Sequence, residues 1–339
     1  MKRRSLGRAL TLSAAAGAAV YVAIACYVGV GKLGSELRAF AWPAALAALG
    51  LALVNYGLRF AKWELFLRRL GVRVALGHSL KVFLAGFSLT VTPGKVGEVV
   101  KAYLLRETDG VPMARTAPIV VAERVTDLLA LLLLALIGIG VVVRGGGQRL
   151  LWAAAGLIVV FLALASSKRL VHALIDLAAR VPAIGRAAPK LREFYDAMAE
   201  LVRPAPLIAA TLLSLGAWLA ECVGFWVVLG GFPGAGATLA ACTFIYAAMT
   251  IAGALSFLPG GLLVQEGGMV GLLIELGHGI GRPLATAATF VIRLCTLWFA
   301  VAIGVVAMMR VSRRPLDLEA LGQARETSET SPVAEALSE

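Results

Sequence analysis

The sequence predicts an all-α polytopic membrane protein, with about six transmembrane helices and two re-entrant helical hairpins in an inverted-topology repeat. Three observations carry this fold class. The 339 residues are 60% hydrophobic and 15% charged, with a mean hydropathy of +0.86, whereas soluble domains are about 25% charged. Apolar runs recur at the length needed to cross a ~30 Å hydrocarbon core. Of the 32 Lys and Arg, which give a net charge of +12, 20 gather at residues 2–8, 59–81, 168–203 and 310–314. The short connections between these clusters carry few, which is the positive-inside asymmetry of a membrane protein.

Taken in order, residues 9–31 form a first span, too long for the 7–15-residue apolar core of a signal peptide. Residues 42–58 return to the basic side. Residues 60–73 alternate Trp63, Leu65, Phe66 and Leu70 with Lys62, Arg68 and Arg69, the pattern of an interfacial amphipathic helix. Residues 79–106 are apolar but broken at Pro93-Gly94-Lys95, leaving two pieces each too short to span. Basic flanks on both sides make this a re-entrant pair. Residues 116–143 span and carry Glu123, Arg124 and Asp127; residues 150–165 return. Residues 166–203 read as cytoplasmic surface helices. Residues 206–229 span with Glu221 inside. Residues 239–276 repeat the interrupted pattern, broken at Pro259-Gly260-Gly261, and residues 284–309 form a last span with Arg293. One membrane domain thus covers residues 1–310, with repeat halves at 42–143 and 206–309. Residues 311–339 are an acidic, Ser/Thr-rich tail of disordered type on the cytoplasmic side.

Several classes are excluded. Cys26, Cys222, Cys242 and Cys295 lie in apolar runs without paired spacing, and His78, His172 and His278 are far apart. Neither a disulfide framework nor a metal motif follows. No G-x-S-x-G, P-loop or dinucleotide fingerprint is present. No cofactor or metal is expected, and the basic surplus suits lipid headgroups rather than nucleic acid.

An internal repeat joins the two interrupted segments. Pro93-Gly94 matches Pro259-Gly260 at an offset of 166, Glu98 matches Glu266 and Glu107 matches Glu275 at 168, and Arg124 matches Arg293 at 169. Such residues are costly within spans, so their recurrence means more than matched leucines. Three crossings separate the two segments, an odd number, which inverts the second relative to the first. A half-helix starting after each Pro-Gly presents unpaired N–H groups and a partial positive charge, an end suited to phosphate or carboxylate. Arg124 and Arg293 lie about 12 and 14 Å into their spans at ~1.5 Å per residue. The expected substrate site is therefore Pro93, Gly94, Lys95, Glu98, Glu123, Arg124 and Asp127 with Pro259, Gly260, Gly261, Glu266 and Arg293. Plainer readings stand beside it: helix kinks at the prolines, carboxylates that only stabilise helix starts, and a structural Arg124–Asp127 pair.

The segments TPGKVGEVVKAYLL, ERVTDLL and PGGLLVQEG, followed by an intramembrane Arg, resemble the flippase-like family named for the transmembrane region of lysylphosphatidylglycerol synthase. The earlier RFAKWELFLRRLG fits that family's Arg-then-Trp segment, and the likeness runs over residues 10 to 310. It implies an inner-membrane protein that moves a lipid, such as an aminoacylated phospholipid, between leaflets. The full-length synthases carry a soluble aminoacyl-transfer domain that does not follow Arg314 here, so the expectation is a stand-alone, non-enzymatic member. Where the family's second motif has Gly before Val, this sequence has Leu263.

Lipid translocation through a midplane site is thus the leading expectation, with membrane lipids as partners. Two alternatives remain at this point. One is a membrane-embedded transferase using a lipid-linked donor, with Glu98 or Asp127 as base. The other is a non-transporting scaffold for a separately encoded lipid synthase or glycosyltransferase.

Overall fold

The computed structural model describes residues 21–22, 26, 28–92, 98–142, 156 and 188–311. Every regular element among them is helical. The helices are α1 (Val30–Ala39), α2 (Trp42–Arg69), α3 (Leu76–Gly86), α4 (Val100–Asp109), α5 (Met113–Val142), α6 (Ala188–Leu201), α7 (Pro204–Gly230), α8 (Leu239–Leu255), α9 (Val264–Leu276), α10 (Arg282–Arg293) and α11 (Phe299–Val311). A π-turn over Leu294–Trp298 joins α10 to α11 without a break. The starts follow local chemistry. Proline occupies the first turn of α2, α7 and α10, where its missing N–H has no intrahelical partner to lose. Thr238 caps α8 by accepting from the Ala241 N–H at 3.2 Å. Gly110 closes α4 at φ +67°.

Trp42–Arg69, Pro204–Gly230 and the continuous run Arg282–Val311 are long and apolar enough to cross a membrane. The 30-residue α5 is equally long, at about 45 Å by the helical rise. The apolar helices Leu76–Leu89 and Leu239–Leu255 are shorter, and each leads into one of the two breaks. Exposed apolar residues form lipid-facing stripes, such as Ile208, Leu212, Leu219 and Trp226 on α7.

Two cores divide the molecule. Trp63, Phe66, Phe83, Leu105 and Ile119 pack α2 to α5 together with α11. Phe225, Ile245, Tyr246, Met269, Leu273 and Ile292 pack α7 to α10. A smaller cluster of Val91, Leu262 and Leu297 lies beside both breaks.

The expected span at residues 9–31 is described only in part, and the return over 150–165 (residue 156 apart), most of the surface segment over 166–203 and the tail beyond 311 lie outside the described residues. Two local expectations change. The connection around Lys32 and Arg38 is itself helical, within α1. Residues 60–73 do not form a separate surface helix, because α2 runs unbroken to Arg69 and buries Arg59, Lys62, Trp63 and Phe66. Lys62, read as facing headgroups, instead faces the bundle interior, as does Arg59 one turn earlier, while Arg68 and Arg69 are exposed. His278 is in the connection between α9 and α10, bridging backbone to backbone with Gly236.

Candidate functional site

The second break is built from a run of left-handed residues. After α8 ends, Phe257 has φ +54°, Gly260 φ +62°, Gly261 φ +68° and Leu263 φ +72°. Pro259–Gly261 makes a single 3-10 turn. Gly261 lies so close to α8 that an added Cβ would stand 3.0 Å from the Gly253 Cα. Helix α9 then starts at Val264 with Glu266 in its first turn. On the other side, α3 passes through a 3-10 turn at Phe87–Leu89, and Glu98 lies just before α4. Pro93, Gly94 and Lys95 lie outside the described residues. The edges of the two breaks meet: a Cβ on Gly260 would stand 3.3 Å from Val91 Cγ1.

Leu263 shows why a glycine suits this motif. Its φ +72° and ψ −51° lie near the strained γ-turn region, which only glycine enters cheaply. The side chain is 53% exposed, so little packing is lost with it. Leu263→Gly is expected to stabilise the protein by about 1 kcal/mol, raising the detergent melting temperature. A lower melting temperature would show that the turn is relaxed around leucine.

Charged groups fill the space between the breaks. Arg124 reaches Glu98 at 3.0 Å and Asp127 at 3.1 Å. Asp127 also binds the Lys62 ammonium at 2.6 Å, and the Ser214 hydroxyl donates to it at 3.0 Å. Lys101 pairs with Glu123 and lies 4.8 Å from the centroid of the Trp63 ring. In the second half, the Arg293 guanidinium donates to Glu266 Oε1 at 2.7 Å, Gln265 Oε1 at 3.0 Å and the Gly260 carbonyl at 2.8 Å. Each Arg of the repeat thus holds the Glu matched to it in its own half. The two differ in access: the Arg124 side chain is 28% exposed and that of Arg293 5%.

A cavity of about 270 Å³ opens between these groups. Arg59, Arg124 and Asp127 line one wall, and Gly260, Gly261, Gln265 and Arg293 line another. Between them stand Tyr56, Glu221, Tyr246 and Thr296. The Tyr246 hydroxyl donates to Glu221 Oε2 at 2.7 Å, and that of Tyr56 donates to the Thr296 carbonyl at 2.8 Å. The π-turn after Arg293 is the local widening that carries Thr296, a device common at functional positions. Leu255, Phe257 and Leu258 also line the cavity and are 67%, 71% and 39% exposed, giving it an apolar mouth.

The model of the lysylphosphatidylglycerol synthase transmembrane region matches residues 10–304. The chain belongs to this family. Within the lysylphosphatidylglycerol synthase transmembrane-region family, it is 24% identical over 315 residues to a UPF0104 membrane protein of Methanothermobacter thermautotrophicus, covering 86% of this chain and 92% of that protein. A second UPF0104 membrane protein of the same organism is 33% identical over 95 residues, 28% of each chain.

Of the site residues expected from the sequence, the structure brings Arg124, Asp127, Gly260, Gly261 and Arg293 to one cavity. Glu98 and Glu266 stand behind it and hold the two arginines. Pro259 shapes the turn, while Glu123 is engaged by Lys101. The expected site does not include Tyr56, Arg59, Tyr246, Gln265 or Thr296, nor Lys62, which the amphipathic pattern places on the membrane surface. A signal existed for three of these. Tyr56, Arg59 and Lys62 recur every three residues in a run with no proline after Pro43, so one long helix with a polar inner stripe was available. Nothing comparable marks Tyr246, Gln265 or Thr296.

Proposed function

We propose that this protein carries a lipid with an anionic headgroup between the leaflets of the inner membrane, as a carrier rather than an enzyme. The observation that supports it most is the cavity itself. Its floor is ionic and its mouth apolar, which suits a molecule with a charged head and a greasy body. A phosphate meets Arg124 first. That guanidinium is the more exposed of the pair, and its Nε–H has no hydrogen-bond acceptor among the described residues. Buried donors of this kind ordinarily have a partner.

Arg293 is held by three acceptors and takes over when the second break rearranges. The two halves, inverted by the odd number of crossings between them, then exchange the roles of open and sealed arginine, which is alternating access in a repeat-built transporter. Both termini lie on the cytoplasmic side, where the basic clusters collect. Aminoacylated and simple anionic phospholipids both fit this chemistry.

Arg124→Gln and Arg293→Gln should each lower exchange of fluorescent phosphatidylglycerol in proteoliposomes by at least about tenfold, since each removes a charge-assisted phosphate contact. Arg→Lys at either position should retain part of the rate. Gel filtration and melting curves establish that the variants are folded. Native exchange rates in both folded Gln variants would make the arginines structural and end this reading.

A further inference from the structure

A second concavity, sharing no lining residue with the first, lies on the outer face between α3 and α11. It has a volume of about 320 Å³ and is lined by Leu84, Ala302, Ile303, Val306 and Ala307, with Lys81 and Arg310. The C-terminal end of α3 is locked against the middle of α11, where Gly304 sits so close to the Phe87–Ser88 backbone that no Cβ fits. Beside that contact the two helices leave a trough, with both cations exposed, Arg310 at the C-terminal end of α11. Ala302, Val306 and Arg310 recur every four residues along one stripe of α11, so the trough is about 12 Å long by the helical rise. That is most of the hydrocarbon thickness of one leaflet.

We propose that this trough is a fixed binding site for one anionic phospholipid, separate from the transport cavity. The phosphate lies between Lys81 and Arg310, and one acyl chain lies along Leu84, Ile303 and Val306. Charge decides the occupant. Two like cations at one end of an apolar trough attract an anionic headgroup. A second copy of this chain would bring the same cations and raise the repulsion, further increased by Arg313 and Arg314 just beyond. A neutral or zwitterionic lipid would leave the pair without a net counter-charge. The inference rests on membrane residence and packing, and not on transport.

The test is native mass spectrometry of the full-length protein in detergent, titrated with dioleoyl phosphatidylglycerol or dioleoyl phosphatidylcholine. The natural sequence is expected to retain one tightly held phosphatidylglycerol and to hold phosphatidylcholine more weakly. Lys81→Ala combined with Arg310→Ala should weaken that lipid about 30-fold, at about 1 kcal/mol for each cation near the surface. Lys81→Arg with Arg310→Lys should retain it. Leu84→Trp, which fills the trough while keeping both charges, should expel it. Arg124→Gln should leave it bound. Unchanged retention in the double Ala variant, equal binding of phosphatidylcholine, loss of the lipid in Arg124→Gln, or a doubled mass that the Ala variant abolishes would each overturn the proposal.

Discussion

Gly304→Val is expected to cost about 3 kcal/mol or more and to remove much of the folded protein from detergent extracts. A Cβ at Gly304 would stand 2.2 Å from the Ser88 nitrogen and 2.6 Å from the Phe87 carbonyl carbon. These are backbone atoms and cannot rotate away. Helix α11 would have to withdraw by more than 1 Å from the turn at Phe87–Leu89, opening the packing around it. Overpacking ordinarily costs 1–3 kcal/mol, and a backbone obstacle puts this site at the top of that range. Gly304→Ala should do nearly as much harm, because the Cβ alone makes the clash. Gly57, in the interior of α2 with nothing within 4 Å of an added Cβ, supplies the contrast. Gly57→Ala should gain about 0.5–1 kcal/mol from helix propensity. Melting curves of the three variants check the order; a stable Gly304→Val would mean that α3 and α11 are not in backbone contact.

The second large effect concerns Lys62. Its ammonium is fully buried against Asp127, Thr126 and Ser214. Lys62→Met keeps the aliphatic stem but leaves Asp127 with one cation, Arg124, where it had two. Removing one partner of a buried pair costs about 3–5 kcal/mol, because the other charge remains. Arg124 and Ser214 keep this case near 3 kcal/mol. Adding Asp127→Asn to Lys62→Met should restore part of the loss, giving a positive coupling in a double-mutant cycle. Additive losses would show that Lys62 and Asp127 do not sense each other.

Sequence and structure agree where the signal is local. Pro43, Pro204 and Pro283 mark helix starts, and Pro259-Gly260 marks a true break. The matched Glu and Arg positions come together as Glu98–Arg124 and Glu266–Arg293 pairs, a pairing to which rare residues in an apolar setting pointed. Agreement ends where one pattern serves two environments. Lys62 and Trp63 fit a helix lying on the membrane surface and equally the inner end of a spanning helix beside a polar core. Only tertiary packing separates the two. The gathering of Tyr56, Tyr246 and Thr296 depends on long-range contacts between α2, α8 and the π-turn, and no short-range pattern encodes it.

The matched pairs bear on how the chain enters the bilayer as it is made. Glu98 and Arg124 are 26 residues apart, and Glu266 and Arg293 are 27 apart. At about 5–20 residues per second, each arginine follows its carboxylate out of the ribosome within a few seconds. Lys62 with Asp127, and Lys101 with Glu123, likewise close within the first half. Each of these charges thus has its counter-ion in the same half, so neither half must wait for the other to neutralise a lone ion in hydrocarbon.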